Sequence, residues 1–263
     1  MAKRYSLAGR FCKSEARRYI DKMLFLVGVV TIGGGFGVGF FAAKRWTMPG
    51  LIALGATIAL LVFGSKFIEK AIERLGKERL NYWRGGQVEE LVSWVLEDLS
   101  DDWHIFNGLM LKGGSDIDHV LVGPGGIFVI STKSQRGIFS ANNGRRIFCN
   151  LKPMGFINDV WDQVKQVRSR LEAFLVNDVP RVYPVLAVPF AWVECDSKRS
   201  DIWILHQENL LQAFEECEET LSKDEVKKLA KLFEKLLIEG REFYKPPAKP
   251  KNVVAVKSPQ GAN

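Results

Sequence analysis

Two long uncharged runs open the chain, and an alternation of helical and strand-like patterns follows them. Residues 23–43, MLFLVGVVTIGGGFGVGFFAA, carry no charge, and residues 46–65, WTMPGLIALGATIALLVFGS, form a second such run. As helices these runs each reach about 30 Å, enough to cross a hydrocarbon core. Only Lys44-Arg45 and the turn Trp46-Thr47-Met48-Pro49-Gly50 separate them, so the pattern predicts an antiparallel transmembrane hairpin over 23–65. Apolarity on every side of both runs argues against a buried soluble helix pair. A second apolar run directly behind the first argues against a cleaved signal peptide.

Beyond the hairpin the period changes. Residues 66–80 are charged and helical in pattern, a stalk leading to a globular domain over 81–245. The first helix of that domain, through Leu99, places Val88, Leu91, Val92, Val95, Leu96 and Leu99 on one stripe. At 100° per residue Glu89 falls at the edge of that stripe and Glu90 points away from it, toward water. Strands are expected at about 103–111, 116–123 and 127–133, then a smaller hairpin near 137–150 turning at Asn142-Asn143-Gly144. A helix over about 157–177 buries Val160, Val164, Val167, Leu171, Phe174 and Leu175, with Gln163 at the border of its stripe. Apolar strands at 182–188 and 202–205 and helices near 207–219 and 222–243 follow. Residues 246–263 are rich in Pro and Lys, lack aromatic residues and read as a disordered tail.

The stretch 117–133, IDHVLVGPGGIFVISTK, carries the chemistry. Two β-rich runs flank Gly123-Pro124-Gly125-Gly126, the composition of a hairpin turn. If Val122 pairs with Ile127, Asp118 lies opposite Ser131, and Lys133 stands beside Ser131 on the same face. Directly opposed side chains have Cβ atoms about 5 Å apart, so Asp118, Ser131 and Lys133 converge on one patch. Asp116, two residues before Asp118, shares its face, whereas alternation sends His119 to the opposite one, as a packing or hydrogen-bonding histidine.

This stretch resembles the nuclease-related (NERD) domain, a branch of the PD-(D/E)xK nuclease superfamily. The resemblance extends over about residues 82–190. The family pattern is an acid opening the hairpin, a Gly-rich turn and an apolar strand ending Glu-x-Lys, with a glutamate on the preceding helix and a glutamine on the following one. Here Asp118, Lys133, Glu89 and Gln163 occupy those positions, but the strand ends Ser131-Thr132-Lys133 where the family has its second acid. The resemblance implies an α/β fold with an αβββαβ restriction-endonuclease-like core and added C-terminal helices. It also implies Mg²⁺ held by Asp118 and Glu89, Lys133 activating water and Gln163 positioning it. A neutral Ser131 cannot replace a lost carboxylate, so the cation is expected to bind weakly. Asp116 shares the face and offers partial compensation as one reading, but the favoured reading sets it in the strand's polar approach. Two readings stand: a degenerate domain that binds nucleic acid or a partner at the membrane face, and an active Mg²⁺-dependent nuclease acting on DNA.

Charge refines the picture. The net charge of +7 comes from residues 1–22, Lys44-Arg45 and the tail, and leaves residues 66–245 at −3. A DNA-binding surface on the domain must therefore be local, with Arg136, Arg145, Arg146 and Lys152 as its candidates. Seven Lys/Arg precede the first apolar run and five follow the second over 66–79, against two in the turn. The positive-inside rule then puts both termini and the domain on the cytoplasmic side of an inner membrane, as a multi-pass protein. In the first run Gly33/Gly37 and Gly35/Gly39 repeat at i, i+4, a spacing that lets helices approach closely. It serves either the second span or another copy of the protein in a homo-oligomer. Cys12, Cys149, Cys195 and Cys217 are scattered without metal spacing and read as reduced thiols. No Ser-His-Asp or Cys-His arrangement involves His104, His119 or His206.

Overall fold

The structure, a computed structural model, describes residues 1–44, 47–111, 116–142, 146–175, 179–194 and 202–243. Its longest elements are α1 (Arg10–Lys44) and α2 (Met48–Glu97), which pack against one another. Thr47 caps α2, its hydroxyl accepting from the Gly50 N–H at 3.4 Å, and Pro49 sits in the first turn, where its missing N–H costs nothing. With no later proline to stop it, α2 runs on for 50 residues through the second apolar run, the expected stalk and the first helix of the domain. The boundary expected near residue 81 is thus not an element boundary. Among the described residues, α1 is the one helix long and apolar enough to cross a membrane, and the apolar opening of α2 is described over Met48–Ala59. Gly37 lies so close to Thr57 that a side chain there would overlap the threonine, while Gly35 and Gly39 face open space. Of these four glycines, Gly37 contributes to the contact between α1 and α2 within the chain, while Gly33 is exposed.

The basic N-terminal residues are built into the folded domain. Residues Lys3–Arg4 form β1, which pairs in parallel with β2 (His104–Met110), Lys3 opposite His104. Ala2 and Ala8 are buried, and the Lys3 and Tyr5 N–H groups donate to Trp103 and Ile105 carbonyls. A two-residue strand has no periodicity to read, and its partner lies a hundred residues away. Only the exposed edge of β2 makes it favourable.

The central sheet has the order β1-β2-β3-β4-β8-β10, with β3 (Asp116–Gly123), β4 (Gly126–Thr132), β8 (Val182–Ala187) and β10 (Trp203–Leu205). Every residue of β4 is buried, which explains its unbroken apolar run. On one face α3 (Ile157–Phe174) and α5 (Lys223–Phe243) cover Phe106, Val120, Val122 and Val129. On the other, the end of α2 and α4 (Gln207–Glu215) cover Leu121, Phe128 and Ile130. The succession α2-β2-β3-β4-α3-β8 is the expected αβββαβ order, with α4 and α5 appended.

A second sheet, β7-β6-β5-β9, combines β5 (Gly137–Asn142), β6 (Arg146–Cys149), β7 (Lys152–Met154) and β9 (Ala191–Val193). The expected hairpin is β5–β6, though Asn143 and Gly144 of its turn lie outside the described residues. Strands β7 and β9, three residues each, are too short to show alternation. Phe174, expected in the core, is instead exposed under the Lys235 ammonium, 5.4 Å from its ring.

Candidate functional site

The turn sets the register that builds the site. Gly126, at φ +126°, takes a conformation that favours glycine, and a side chain on Gly123 would collide with the Trp103 ring. Val122 pairs with Ile127 and His119 with Ile130, the register inferred from the hairpin pattern. Asp118 then meets the end of β4. Its Oδ2 accepts from the Thr132 N–H at 2.6 Å, the Thr132 hydroxyl at 3.1 Å and the Ser131 hydroxyl at 3.4 Å. The Lys133 ammonium donates to the Ser131 hydroxyl at 3.2 Å and lies 5.4 Å from the Phe156 ring. Ser131 thus stands between Lys133 and Asp118 as a neutral relay, where a carboxylate would have paired with the lysine directly.

Glu89 is buried, as its place at the stripe edge allows. The groups that hold it come from the N-terminal residues. Gly9, at the mouth of α1, donates its N–H to Oε2 at 2.9 Å, and the Cys12 thiol donates to Oε1 at 3.0 Å. Close approach depends on glycine: a side chain on Gly9 would strike the carbonyl of Gly86, one turn before Glu89. Glu90, expected to face water, is half-buried and paired with Lys13. Sequence reasoning missed Gly9, Cys12 and Thr132. The first two lie about eighty positions from Glu89 with no local pattern to connect them. The third is given the wrong face by strict alternation at a strand end.

Gln163 is buried on α3, and its Nε2 donates to the Asp116 carbonyl at 3.0 Å. Its Oε1, like Asp116 Oδ1, is buried with no hydrogen-bond partner among the described residues. The electrostatics are those of crowded acids. Burial first, and the Asp118 charge second, push the Glu89 carboxyl up to about 8. The same two causes push Asp116 up to about 7. Burial also raises Asp118, against hydrogen bonds from Thr132 and Ser131 and the charge of Lys133. The Cys12 thiol is raised well above its usual range by burial and then by Glu89, with Asp118 and Asp116 adding to it. Glu89, Asp116, Asp118 and Cys12 therefore share one electrostatic neighbourhood, and Lys133 is the basic group that acts on Asp118.

A hard divalent cation suits crowded carboxylate oxygens, and the unpartnered Asp116 Oδ1 is a free acceptor for one. The fit is incomplete. Both oxygens of Glu89 and Oδ2 of Asp118 already accept from this chain's own donors. Among the described residues no three His, Cys, Asp or Glu side chains converge at ligand spacing.

The remaining sequence candidates fall away from this centre. His119 is fully buried and its Nδ1 lies 2.6 Å from Asn107 Oδ1, on the far side from Asp118. His104 bonds the Tyr5 hydroxyl and His206 caps α4. Arg136 lies over Phe190, Arg146 and Lys152 are exposed on the small sheet, and Arg145 is outside the described residues. Cys12 and Cys149 are free thiols, the Cys217 thiol donates to the Ala213 carbonyl at 3.1 Å, and Cys195 is outside the described residues.

Residues 84–189 match the family model described as the nuclease-related domain, NERD. The match begins within α2 and ends after β8, so it contains Glu89, Asp118, Lys133 and Gln163 and leaves out the N-terminal residues that hold Glu89. No curated protein and no solved structure matches the chain.

Proposed function

We propose that this chain, which belongs through residues 84–189 to the nuclease-related domain family, is a membrane-anchored member with a degenerate nuclease site that binds nucleic acid or a partner with little hydrolysis. The observation that carries this reading is the Lys133–Ser131–Asp118 relay. Phosphodiester hydrolysis needs an activated water and positive charge to offset the negative charge gathering on the phosphoryl oxygens. A bound Mg²⁺ would supply that charge, with Asp118, Glu89 and Asp116 as its holders. Lys133 is placed to orient water beside Asp118, and Gln163 fixes the start of β3 through the Asp116 carbonyl. With serine at position 131 the pocket has one carboxylate fewer than the family pattern, and Oδ2 of Asp118 is occupied by hydroxyl and amide donors instead. Weak cation binding follows.

The second reading, an active metal-dependent nuclease acting on DNA, is favoured by a different observation. Glu89, Asp116 and Asp118 repel one another, and Asp116 Oδ1 lacks a partner among the described residues. A divalent cation would relieve both. Plasmid cleavage by the full chain, compared with Asp118→Ala and Lys133→Ala, separates the two readings. Little cleavage by the wild type supports the degenerate site, and robust cleavage lost in both variants overturns it.

The membrane arrangement belongs to the same reading. Residues 23–43 and 46–65 span an inner membrane twice, with the basic flanks, both termini and the domain on the cytoplasmic side. Protease added to sealed inside-out vesicles then digests the domain beyond residue 66. Protection of the domain, or release of the whole chain by carbonate, contradicts this topology.

A further inference from the structure

Beside the carboxylates lies a cavity of about 410 Å³, walled by the start of α1, by β2 and β3 and by the end of α5. Its volume falls within the roughly 300–1,000 Å³ of small-molecule sites, room for a nucleotide and too little for a duplex. Leu7, Phe11, Met110 and Leu237 line it, an apolar surface suited to the flat face of a base. Asp116 belongs to the wall, so the cavity and the carboxylate neighbourhood share a residue. The cation at the rim is Arg10. Arg4, also on the wall, is committed to Glu97, and nearby Lys13 to Glu90. Arg10 is exposed and pairs with no acid among the described residues.

We propose that this cavity is a subsite for the end of a single strand of nucleic acid, with Arg10 contacting a terminal phosphate and the apolar wall seating its base. The inference rests on the nucleic-acid reading of the carboxylate site and narrows it. The strand enters beside Asp116, at a pocket that residues outside the matched domain help to build. A double helix does not fit unless its end is opened. Membrane anchoring and substrate binding then share one element, because α1 carries both the apolar span and Arg10.

The test uses the full chain in lipid nanodiscs with Mg²⁺, read by fluorescence anisotropy of labelled DNA. The probes are a 5′-phosphorylated single-stranded tetramer, the same tetramer without its phosphate, and a blunt hairpin duplex. The wild type is expected to favour the phosphorylated tetramer. Arg10→Ala should weaken that complex about tenfold, the loss of one charge-assisted contact, and remove the preference for the phosphate. Arg10→Lys should restore part of it. Leu7→Asp, at a residue 66% exposed and so tolerated by the fold, should repel the same probe. Binding of nucleic acid that neither Arg10→Ala nor Leu7→Asp changes, or a preference for the duplex, overturns the cavity assignment and leaves the broader reading standing. Failure of the wild type to bind any of the three probes contradicts both.

Discussion

Asp118 and His119 are neighbours in the chain, the first partly and the second fully buried, and they enter two different kinds of polar network. His119 pairs with Asn107, whose Nδ2 donates to Ser93 at 2.9 Å and to the Ser6 carbonyl at 2.7 Å. This network is neutral. Burial pushes the His119 imidazole down to about 3, and the bonds around Asn107 tie the N-terminal residues, α2, β2 and β3 together. Across the strand, Asp118 shares its surroundings with Glu89 and Asp116, and those acids are pushed up by burial and by one another. Asn107 exhausts its donors on neighbours. The acidic network gathers three ionisable carboxyls, and its Asp116 Oδ1 has no partner among the described residues. His119 Nε2, like Asp116 Oδ1, has no hydrogen-bond partner among the described residues, so what sets the two networks apart is the cluster of ionisable carboxyls in one and the neutral side chains of the other.

The largest effect expected from this contrast is on stability. His119→Ala removes a fully buried ring and orphans Asn107 Oδ1, and should cost roughly 2–4 kcal/mol in chemical unfolding of the full chain. Divalent-cation binding should be unchanged. Asp118→Ala should do the reverse, abolishing any cation response with little loss of stability. A stable His119→Ala that has lost its cation response would break the distinction.

The two networks should also leave opposite marks on the pH dependence of stability. Glu89 and Asp116 have folded values raised to about 8 and about 7, above their unfolded ones. Their contribution is therefore full below the unfolded values and is lost as pH rises toward 8. His119 has a depressed folded value, so its contribution is present above about 6.5 and is lost as pH falls toward 3. Thermal unfolding should show stability declining between about pH 6.5 and 8. Glu89→Gln with Asp116→Asn should flatten that decline. A profile that rises through this window would contradict the charge assignment.

The smallest effect should come from the Lys13–Glu90 pair, which joins α1 to α2 beside the site but is partly exposed. Lys13→Ala or Glu90→Ala should cost less than about 1 kcal/mol and leave the cation response intact. A loss as large as that of Asp118→Ala would place Glu90, and not Glu89, in the site.

Much of this site was legible in the sequence because its logic is local. The turn Gly123-Pro124-Gly125-Gly126 fixes the β3–β4 register, and register alone brings Asp118, Ser131 and Lys133 together. The helical angle separated Glu89 from Glu90 for the same reason. The rest was not legible because it depends on distant contacts. Nothing near Met1 announces that Lys3–Arg4 completes a sheet, or that Gly9 and Cys12 cap Glu89. The unbroken α2 was hidden by a composition that changes from apolar to charged to amphipathic without a helix breaker. One practical consequence is that a fragment starting at residue 81 would lack β1 and both donors to Glu89, so the full chain is the proper material for measurement.

The central claim is that serine at position 131 is what weakens the site. Calorimetric titration of Mg²⁺ or Mn²⁺ into the full chain in detergent, wild type against Ser131→Glu, tests it most directly. A second carboxylate about 5 Å from Asp118 across the hairpin should tighten binding by roughly tenfold or more, from a weak or undetectable wild-type signal. Tight binding by the wild type, or none in Ser131→Glu, would contradict the account.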